Sequence, residues 1–228
     1  MNCPYGVKTP EQIQQFVHDA IRFVEKMNCK MMVIGCNTAT FNSYHIESEI
    51  PVIRIIEPTA NEALERHSNR DQDEKIIVLG TNLTIDHGAY ERFLGDKMIG
   101  VRASKFVEIA ENGLQDSHHS KRICEKVLED AKGKGNVVIL GCTHFGLLEN
   151  DIKHVLGHEI EIVESSKCIV NNVRESLKEI GFNDNSHPKR VKISINVTGD
   201  PDAVKIDWFK WNYKGINKVR LESSDDRK

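Results

Sequence analysis

A short motif occurs twice in this chain and constrains its fold more than any other feature. Residues 31–39 read MMVIGCNTA, and residues 137–145 read VVILGCTHF. A run of four apolar residues is typical of a strand that is buried on both faces of a parallel sheet. The glycine allows a tight turn beside a ligand, and the next residues predict the start of a helix. The motif therefore places Cys36 and Cys142 at the carboxyl ends of two strands, each just before a helix.

The rest of the chain alternates short apolar runs with amphipathic stretches. Residues 9–12, Thr-Pro-Glu-Gln, have the composition of a capping box and predict a helix start. Further helices are predicted over residues 40–49, 86–94, 105–112, 117–131, 145–156 and 167–180. Strands are predicted over residues 31–34, 52–56, 76–80, 137–141, 160–163 and 191–197, with Pro58 ending the second. This alternation predicts an α/β fold with parallel sheets flanked by helices, in which ligands bind at the carboxyl ends of the strands.

Composition excludes several classes of protein. The chain has 228 residues, which suits one large domain or two small ones, and its net charge is −3, which argues against a basic nucleic-acid-binding surface. No apolar run reaches the roughly 18 residues of a membrane-spanning helix, and the N-terminus lacks the order of a secretion signal. We therefore expect a cytoplasmic protein with reduced cysteines that binds neither nucleic acid nor a membrane.

Two thiols at one edge of a fold allow several kinds of chemistry. A buried cysteine is often only a small apolar residue, but two in the same motif, each followed closely by Thr, favour a chemical role. A disulfide couple is one alternative, although such pairs usually lie close in sequence. A metal site of Cys36, Cys142 and His144 is another, but it lacks a fourth ligand and paired spacing. The third is acid–base catalysis, in which one thiolate removes a proton from carbon while the opposite thiol delivers one.

Several segments resemble, in the same order, those of the cofactor-independent enzymes of the aspartate/glutamate racemase family. Residues 36–40 and 141–148 are similar to the two cysteine motifs of that family. The supporting segments are residues 3–8, residues 80–81 with 84–85 and 89–91, and residues 198–201. Together these segments cover nearly the whole chain.

The resemblance implies two similar α/β domains, each a mainly parallel sheet flanked by helices, with the active site in the cleft between them. The first domain would comprise residues 1–59 plus 167–228, and the second residues 60–166. The implied reaction is racemisation of L-glutamate and D-glutamate, without pyridoxal, another cofactor or a metal. The family's role is to supply D-glutamate for cell-wall peptidoglycan, and a homodimer is common in it.

The resemblance also implies roles for individual residues. Cys36 would deprotonate D-glutamate, Cys142 would deprotonate L-glutamate, and His144 would assist Cys142. His144 also favours glutamate as substrate, because relatives that act on aspartate usually carry Glu there. Glu111 would support His144, with a solvated helix glutamate as an equally weighted alternative. The substrate would be held by Tyr5, Gly6, Asn37, Thr38, Thr81, Thr84 and Thr143.

One departure from the family pattern concerns the N-terminus. Family members have a strand and an Asp-Ser-Gly turn well before the segment that matches residues 3–8, and the sequence contains no Asp-Ser-Gly. We therefore expect an N-terminally incomplete first domain, lower stability or a partner chain, and weakened racemisation. The alternatives are a truncated, weakly active or non-catalytic homologue that acts by binding or assembly, and another thiol enzyme such as a decarboxylase or isomerase. The remaining cysteines, Cys3, Cys29, Cys124 and Cys168, are interpreted as structural or incidental.

Overall fold

The computed structural model describes residues 5–70, 73–182, 193–198 and 219–223. The chain divides into two compact units, one of residues 6–180 and one of residues 1–5 with 181–228. In the described residues, the helices are α1 Pro10–Lys26, α2 Asn37–Phe41, α3 Ile56–Ser68, α4 Asn82–Asp86, α5 Glu91–Leu94, α6 Lys105–Glu111, α7 His118–Leu128, α8 Glu149–Leu156 and α9 Ser165–Glu179. The strands are β1 Met32–Ile34, β2 Val52–Arg54, β3 Lys75–Gly80, β4 Met98–Arg102, β5 Gly135–Gly141, β6 Glu161–Glu164, β7 Ile193–Val197 and β8 Val219–Ser223.

All described strand pairs are parallel. The larger unit holds a four-stranded sheet in the order β4-β3-β5-β6 and a two-stranded sheet of β1 and β2. In the other unit, β7 pairs with β8. The predicted α/β class, with parallel sheets flanked by helices, is therefore confirmed.

The central strands β3 and β5 are buried on both faces, as their continuous apolar sequences predict. Ile76 and Val78 belong to one core cluster, which also contains residues of β2, α3 and α9. Their neighbours Ile77 and Leu79 belong to a second cluster, built with residues of α6, α7 and α8. Successive side chains point to opposite faces of a strand, so one apolar run supplies both cores.

Some predicted elements differ from the structure. The capping box at Thr9 and Gln12 is present as predicted. The strand at β1 is not buried on both faces, because Val33 is 39% exposed. A helix over residues 40–49 is wrong, since α2 begins at Asn37 and ends at Phe41. The predicted helix over residues 86–94 is broken at Gly88, whose φ of +63° interrupts the helical path between α4 and α5.

Helix α3 and strands β4 and β8 escaped prediction. Helix α3 was missed because Pro58 was expected only to end a strand. Pro58 lies instead in the first turn of α3, where its missing N–H costs no hydrogen bond. Strand β4 at the edge of the four-stranded sheet was also missed, because its MIGVR sequence is short and interrupted by glycine. The division into residues 1–59 plus 167–228 and 60–166 stays a prediction. In the described residues, no helix is long and apolar enough to cross a membrane.

Candidate active site

The first cysteine motif forms a turn that buried polar residues hold in place. Cys36 is half-buried and occupies the N-cap of α2. The Thr40 hydroxyl donates to the Ile34 carbonyl at 3.2 Å, and the Asn42 side-chain amide donates to the Thr38 carbonyl at 2.8 Å. The first bond ties α2 to the end of β1, and the second caps the end of α2.

Three threonine hydroxyls connect this turn to the end of β3. The Thr38 Oγ1 lies 3.3 Å from the Thr81 Oγ1 and 3.1 Å from the Thr84 Oγ1, and the latter two oxygens are 2.9 Å apart. Thr81 also caps α4 by accepting from the Thr84 backbone N–H. Three hydroxyls in mutual contact can rotate to donate or accept, so they suit a ligand with carboxylate and ammonium groups.

The second cysteine motif lies at the same edge of the sheet. Gly80 of β3 is paired with Gly141 of β5, so Thr81 and Cys142 each follow directly after paired residues. A Cβ built on Gly141 would lie 2.6 Å from the Leu79 carbonyl oxygen. Glycine is needed there because β5 approaches the backbone of β3, rather than because of a ligand. After the turn, Phe145 is buried against Phe106, with ring centroids 5.4 Å apart.

Cys142, His144 and Glu111 form a chain of titratable groups. The Cys142 Sγ lies 3.5 Å from the His144 Nδ1, and the His144 Nε2 lies 3.5 Å from a carboxylate oxygen of Glu111. Burial lowers the pKa of His144, while the Glu111 charge acts to raise it. An imidazole that is neutral at pH 7 can face a carboxylate with Nε2–H and accept the thiol proton at Nδ1.

The two thiols influence each other. Burial raises the pKa of Cys142 to about 12, a hydrogen bond from the His144 backbone opposes the rise, and charge on Cys36 and on Glu111 adds to it. Cys36 is therefore close enough to Cys142 for a thiolate on one to disfavour a thiolate on the other. Such coupling disfavours the state in which both cysteines are thiolates.

The two polar atoms of the Asn37 side-chain amide differ in their hydrogen bonding. The side chain is 2% exposed, and its Oδ1 accepts from the Tyr90 hydroxyl at 2.7 Å. Its Nδ2 has no hydrogen-bond partner among the described residues. A buried amide donor without a partner is costly, so this atom is a candidate contact for a ligand oxygen.

The structure brings together most of the predicted site residues: Cys36, Asn37, Thr38, Thr81, Thr84, Glu111, Cys142 and His144. The Glu111 side chain is 56% exposed and also contacts His144. It is therefore both a solvated helix glutamate and a partner of His144. Thr143 is exposed, and its role stays a prediction. Tyr5 and Gly6 lie in a short 3₁₀ helix, Tyr5–Val7, and their role in the site also stays a prediction.

Other predicted features lie apart from this group. Cys29 is exposed, Cys124 is buried in a core cluster and Cys168 is half-buried. Cys3 and residues 199–201 lie outside the described residues. Within the described part of the chain, no group of three or more His, Cys, Asp or Glu side chains is arranged to hold a metal ion. The sequence interpretation missed the contact of Tyr90 with Asn37. The available signal was that Tyr90 lies in the segment at residues 89–91.

The chain is similar to known proteins of one family. The family model described as Asp/Glu/Hydantoin racemase matches residues 1–173. The chain is 32% identical over 224 residues to the glutamate racemase of Limosilactobacillus reuteri (strain DSM 20016), covering 94% of this chain and 81% of that protein. It is 33% identical over 186 residues to the glutamate racemase of Aquifex pyrophilus, covering 78% of this chain and 70% of that protein.

Several solved structures of similar fold are glutamate racemases. The isoform RacE1 from Bacillus anthracis matches with a TM-score of 0.84 at 28% identity, covering 98% of this chain and 84% of that one. The enzyme from Thermus thermophilus, in complex with beta-chloro-D-alanine, matches with a TM-score of 0.81 at 26% identity and the same coverage. The family match over most of the chain, together with these relatives, places the protein in the Asp/Glu/Hydantoin racemase family, as a homologue of the glutamate racemases, which are amino-acid racemases of the isomerase class.

Proposed function

We propose that the protein interconverts L-glutamate and D-glutamate without a cofactor, using Cys36 and Cys142 as the acid–base pair. The observation that carries the proposal is that the two thiols lie in two equivalent strand–Gly–Cys turns, and the effect of charge on Cys36 on the pKa of Cys142 supports it. Glutamate is the proposed substrate because the matched relatives are glutamate racemases and because His144 stands where aspartate-specific relatives usually carry Glu.

The reaction requires one thiolate and one thiol on opposite faces of the substrate Cα. Cys36 takes the Cα proton of D-glutamate while Cys142 donates its own proton to the other face, which yields L-glutamate. In the reverse direction, Cys142 takes the proton of L-glutamate and Cys36 donates. Each turnover turns the thiolate into a thiol and the opposite thiol into a thiolate. Because thiol protons exchange with solvent, a solvent hydrogen can replace the one removed from Cα.

His144 and Glu111 support the Cys142 side. With a pKa raised to about 12, Cys142 is a thiol at neutral pH and is ready to act as the acid. To act as a base it must first lose its proton, and the His144 Nδ1, 3.5 Å from the sulfur, can accept that proton. The Glu111 carboxylate, 3.5 Å from the Nε2, then stabilises the imidazolium.

Polar donors around the thiols hold the substrate and stabilise the charge that develops on it. The Asn37 Nδ2 is proposed to donate to a substrate carboxylate oxygen. The hydroxyls of Thr38, Thr81 and Thr84 complete the set, together with the predicted contacts of Thr143, Tyr5 and Gly6. Donors fixed before the reaction begins stabilise a carbanion-like transition state more strongly than mobile water does.

We propose that the protein acts as a homodimer in the cytoplasm. Its proposed biological role is to supply D-glutamate for peptidoglycan. This part of the proposal rests on resemblance to the family. The relatives that cover most of the chain favour catalysis over a role in binding or assembly alone.

The test is Cα hydrogen exchange in D2O, followed by NMR from each enantiomer separately. The wild-type protein is expected to incorporate deuterium and to form the opposite enantiomer from both starting materials. Cys36→Ala and Cys142→Ala should both abolish racemisation. Residual exchange without inversion should be confined to L-glutamate in Cys36→Ala and to D-glutamate in Cys142→Ala, because one base remains in each.

Cys29→Ala is the matched control, since Cys29 is exposed and lies outside the site. It should racemise at the wild-type rate. The proposal is wrong if the folded wild-type protein exchanges neither enantiomer, or if either single cysteine variant still inverts glutamate.

A further inference from the structure

Tyr90 lies behind both cysteine motifs. Its side chain is 1% exposed, and its hydroxyl donates to the Asn37 Oδ1 at 2.7 Å. On the other side, a Cβ built on Gly141 would lie 3.4 Å from Cε2 of the Tyr90 ring. One buried side chain therefore hydrogen-bonds the residue after Cys36 and lies beside the residue before Cys142.

In the structure, the Tyr90 hydroxyl donates its proton to the Asn37 Oδ1. Burial raises the pKa of Tyr90, so the hydroxyl stays protonated, while the nearby hydroxyls of Ser165 and Thr59 act to lower it. Those hydroxyls donate elsewhere: Ser165 to the Leu140 carbonyl at 3.2 Å, and Thr59 to the Ile55 carbonyl at 2.6 Å.

A hydrogen bond to Oδ1 decides which way the Asn37 amide faces. A primary amide presents an acceptor on one side and two donor hydrogens on the other, and exchanging them by a half-turn would remove the acceptor to which the Tyr90 hydroxyl donates. With Oδ1 held by Tyr90, the Nδ2 is directed away from Tyr90. It is buried and has no partner among the described residues.

We propose that Tyr90 is a positioning residue that fixes the Asn37 amide with its Nδ2 toward the substrate, so that the donor is in place before glutamate binds. The identity of the substrate in this proposal rests on the proposed function. The orientation of the amide does not, because it follows from contacts inside the protein.

The first test compares Tyr90→Phe with Tyr44→Phe. The Tyr90 variant keeps the ring that packs on Gly141 and loses only the donor. The Tyr44 hydroxyl is also buried but has no hydrogen-bond partner in the described residues, so its loss is a matched control. Loss of one neutral hydrogen bond predicts a rise in KM of about 2–12-fold for both enantiomers in Tyr90→Phe. The kcat should change less, and Tyr44→Phe should keep the wild-type KM.

A double-mutant cycle separates positioning from general stabilisation. Asn37→Ala removes the amide through which Tyr90 is proposed to act. The double variant should then have the same KM as Asn37→Ala within about twofold. This margin corresponds to the deviation usually seen when the effects of two independent substitutions are added. If the two effects multiply instead, Tyr90 acts independently of Asn37 and the proposal is overturned.

An NMR measurement tests the proposal without relying on turnover. The Asn37 side-chain amide signals, identified by their loss in Asn37→Ala, should shift in Tyr90→Phe and stay in place in Tyr44→Phe. Unchanged signals in Tyr90→Phe would refute the amide orientation even if the protein racemises glutamate. Shifted signals in a protein without racemase activity would instead refute the proposed function and leave the positioning role standing.

A second variant covers the case in which Tyr90→Phe does not fold. Asn37→Asp keeps an acceptor for Tyr90 but removes the Nδ2 donor. The buried carboxyl should lower Tm, and the folded variant should raise KM at least as much as the range given for Tyr90→Phe. Wild-type KM in Asn37→Asp would show that the Nδ2 does not contact the substrate, which contradicts the proposal.

Discussion

Gly35 and Gly141 occupy the same position in the repeated motif, yet the structure predicts opposite effects of alanine at the two sites. A Cβ at Gly141 would lie 2.6 Å from the Leu79 carbonyl oxygen, whereas a Cβ at Gly35 would meet no atom within 4 Å. Neither glycine is among those with positive φ, so backbone strain does not distinguish them. The difference comes from tertiary packing alone.

The magnitude for Gly141→Ala follows from the contact. A distance of 2.6 Å is about 0.8 Å shorter than the lower end of ordinary contacts with a Cβ, 3.4 Å, and the atom it meets is backbone in the centre of the sheet. Overpacking of this kind costs about 1–3 kcal/mol of unfolding free energy. For a chain of this size, each kcal/mol lowers Tm by about 2–4 °C, so Gly141→Ala should lower Tm by about 2–12 °C.

Activity should fall as well, because Cys142 follows directly after Gly141. Relief of the clash moves the end of β5 away from β3 and takes the sulfur with it. Misplacement of a reacting group by about 1 Å costs on the order of 100-fold in rate, so a loss of about 10–100-fold is expected for the smaller shift here.

The assay is thermal unfolding by circular dichroism together with the exchange of glutamate in D2O. Gly35→Ala is the matched control. It should keep Tm or raise it slightly, since alanine at a compatible site stabilises by about 0.4–1 kcal/mol through the unfolded state. Equal Tm and equal rates for the two variants would refute the reasoning that close approach of β5 to β3 requires glycine at position 141.

Two further predictions concern titratable groups. Glu111→Gln should lower the pKa of His144, because it removes a charge that raises this pKa. Histidine NMR titration measures the shift, with Glu108→Gln on the same helix as control, and an unchanged or higher value would contradict the pairing. Burial raises the pKa of Cys124 and Cys142 to about 12, so the folded protein keeps protons that the unfolded chain releases above about pH 8.5. Stability from this source is complete below that pH and is lost as the pH rises toward 12. The Tm of Cys124→Ala should therefore fall less steeply with pH than that of the wild type between about pH 8.5 and 11. An identical fall in both proteins would show that Cys124 does not contribute.

The sequence predicted elements with strong local signals. Uninterrupted apolar runs located β3 and β5, and the capping residues Thr9 and Gln12 located the start of α1. Elements without such signals were missed or misplaced. Strand β4 and helix α3 owe their place to packing on neighbours that a local pattern does not reveal.

By itself, the sequence determined the α/β class, the two strand–Gly–Cys turns and the residue types available for acid–base chemistry, because these depend on periodicity and on short motifs. Only the tertiary structure decided which of those residues meet. Thr38 reaches Thr81 and Thr84, Glu111 reaches His144, and Tyr90 fixes Asn37 from 53 residues away. It also decided that one motif glycine is enclosed while the other is open. The physical reason is that such contacts depend on the register and packing of distant elements, which local sequence patterns do not encode.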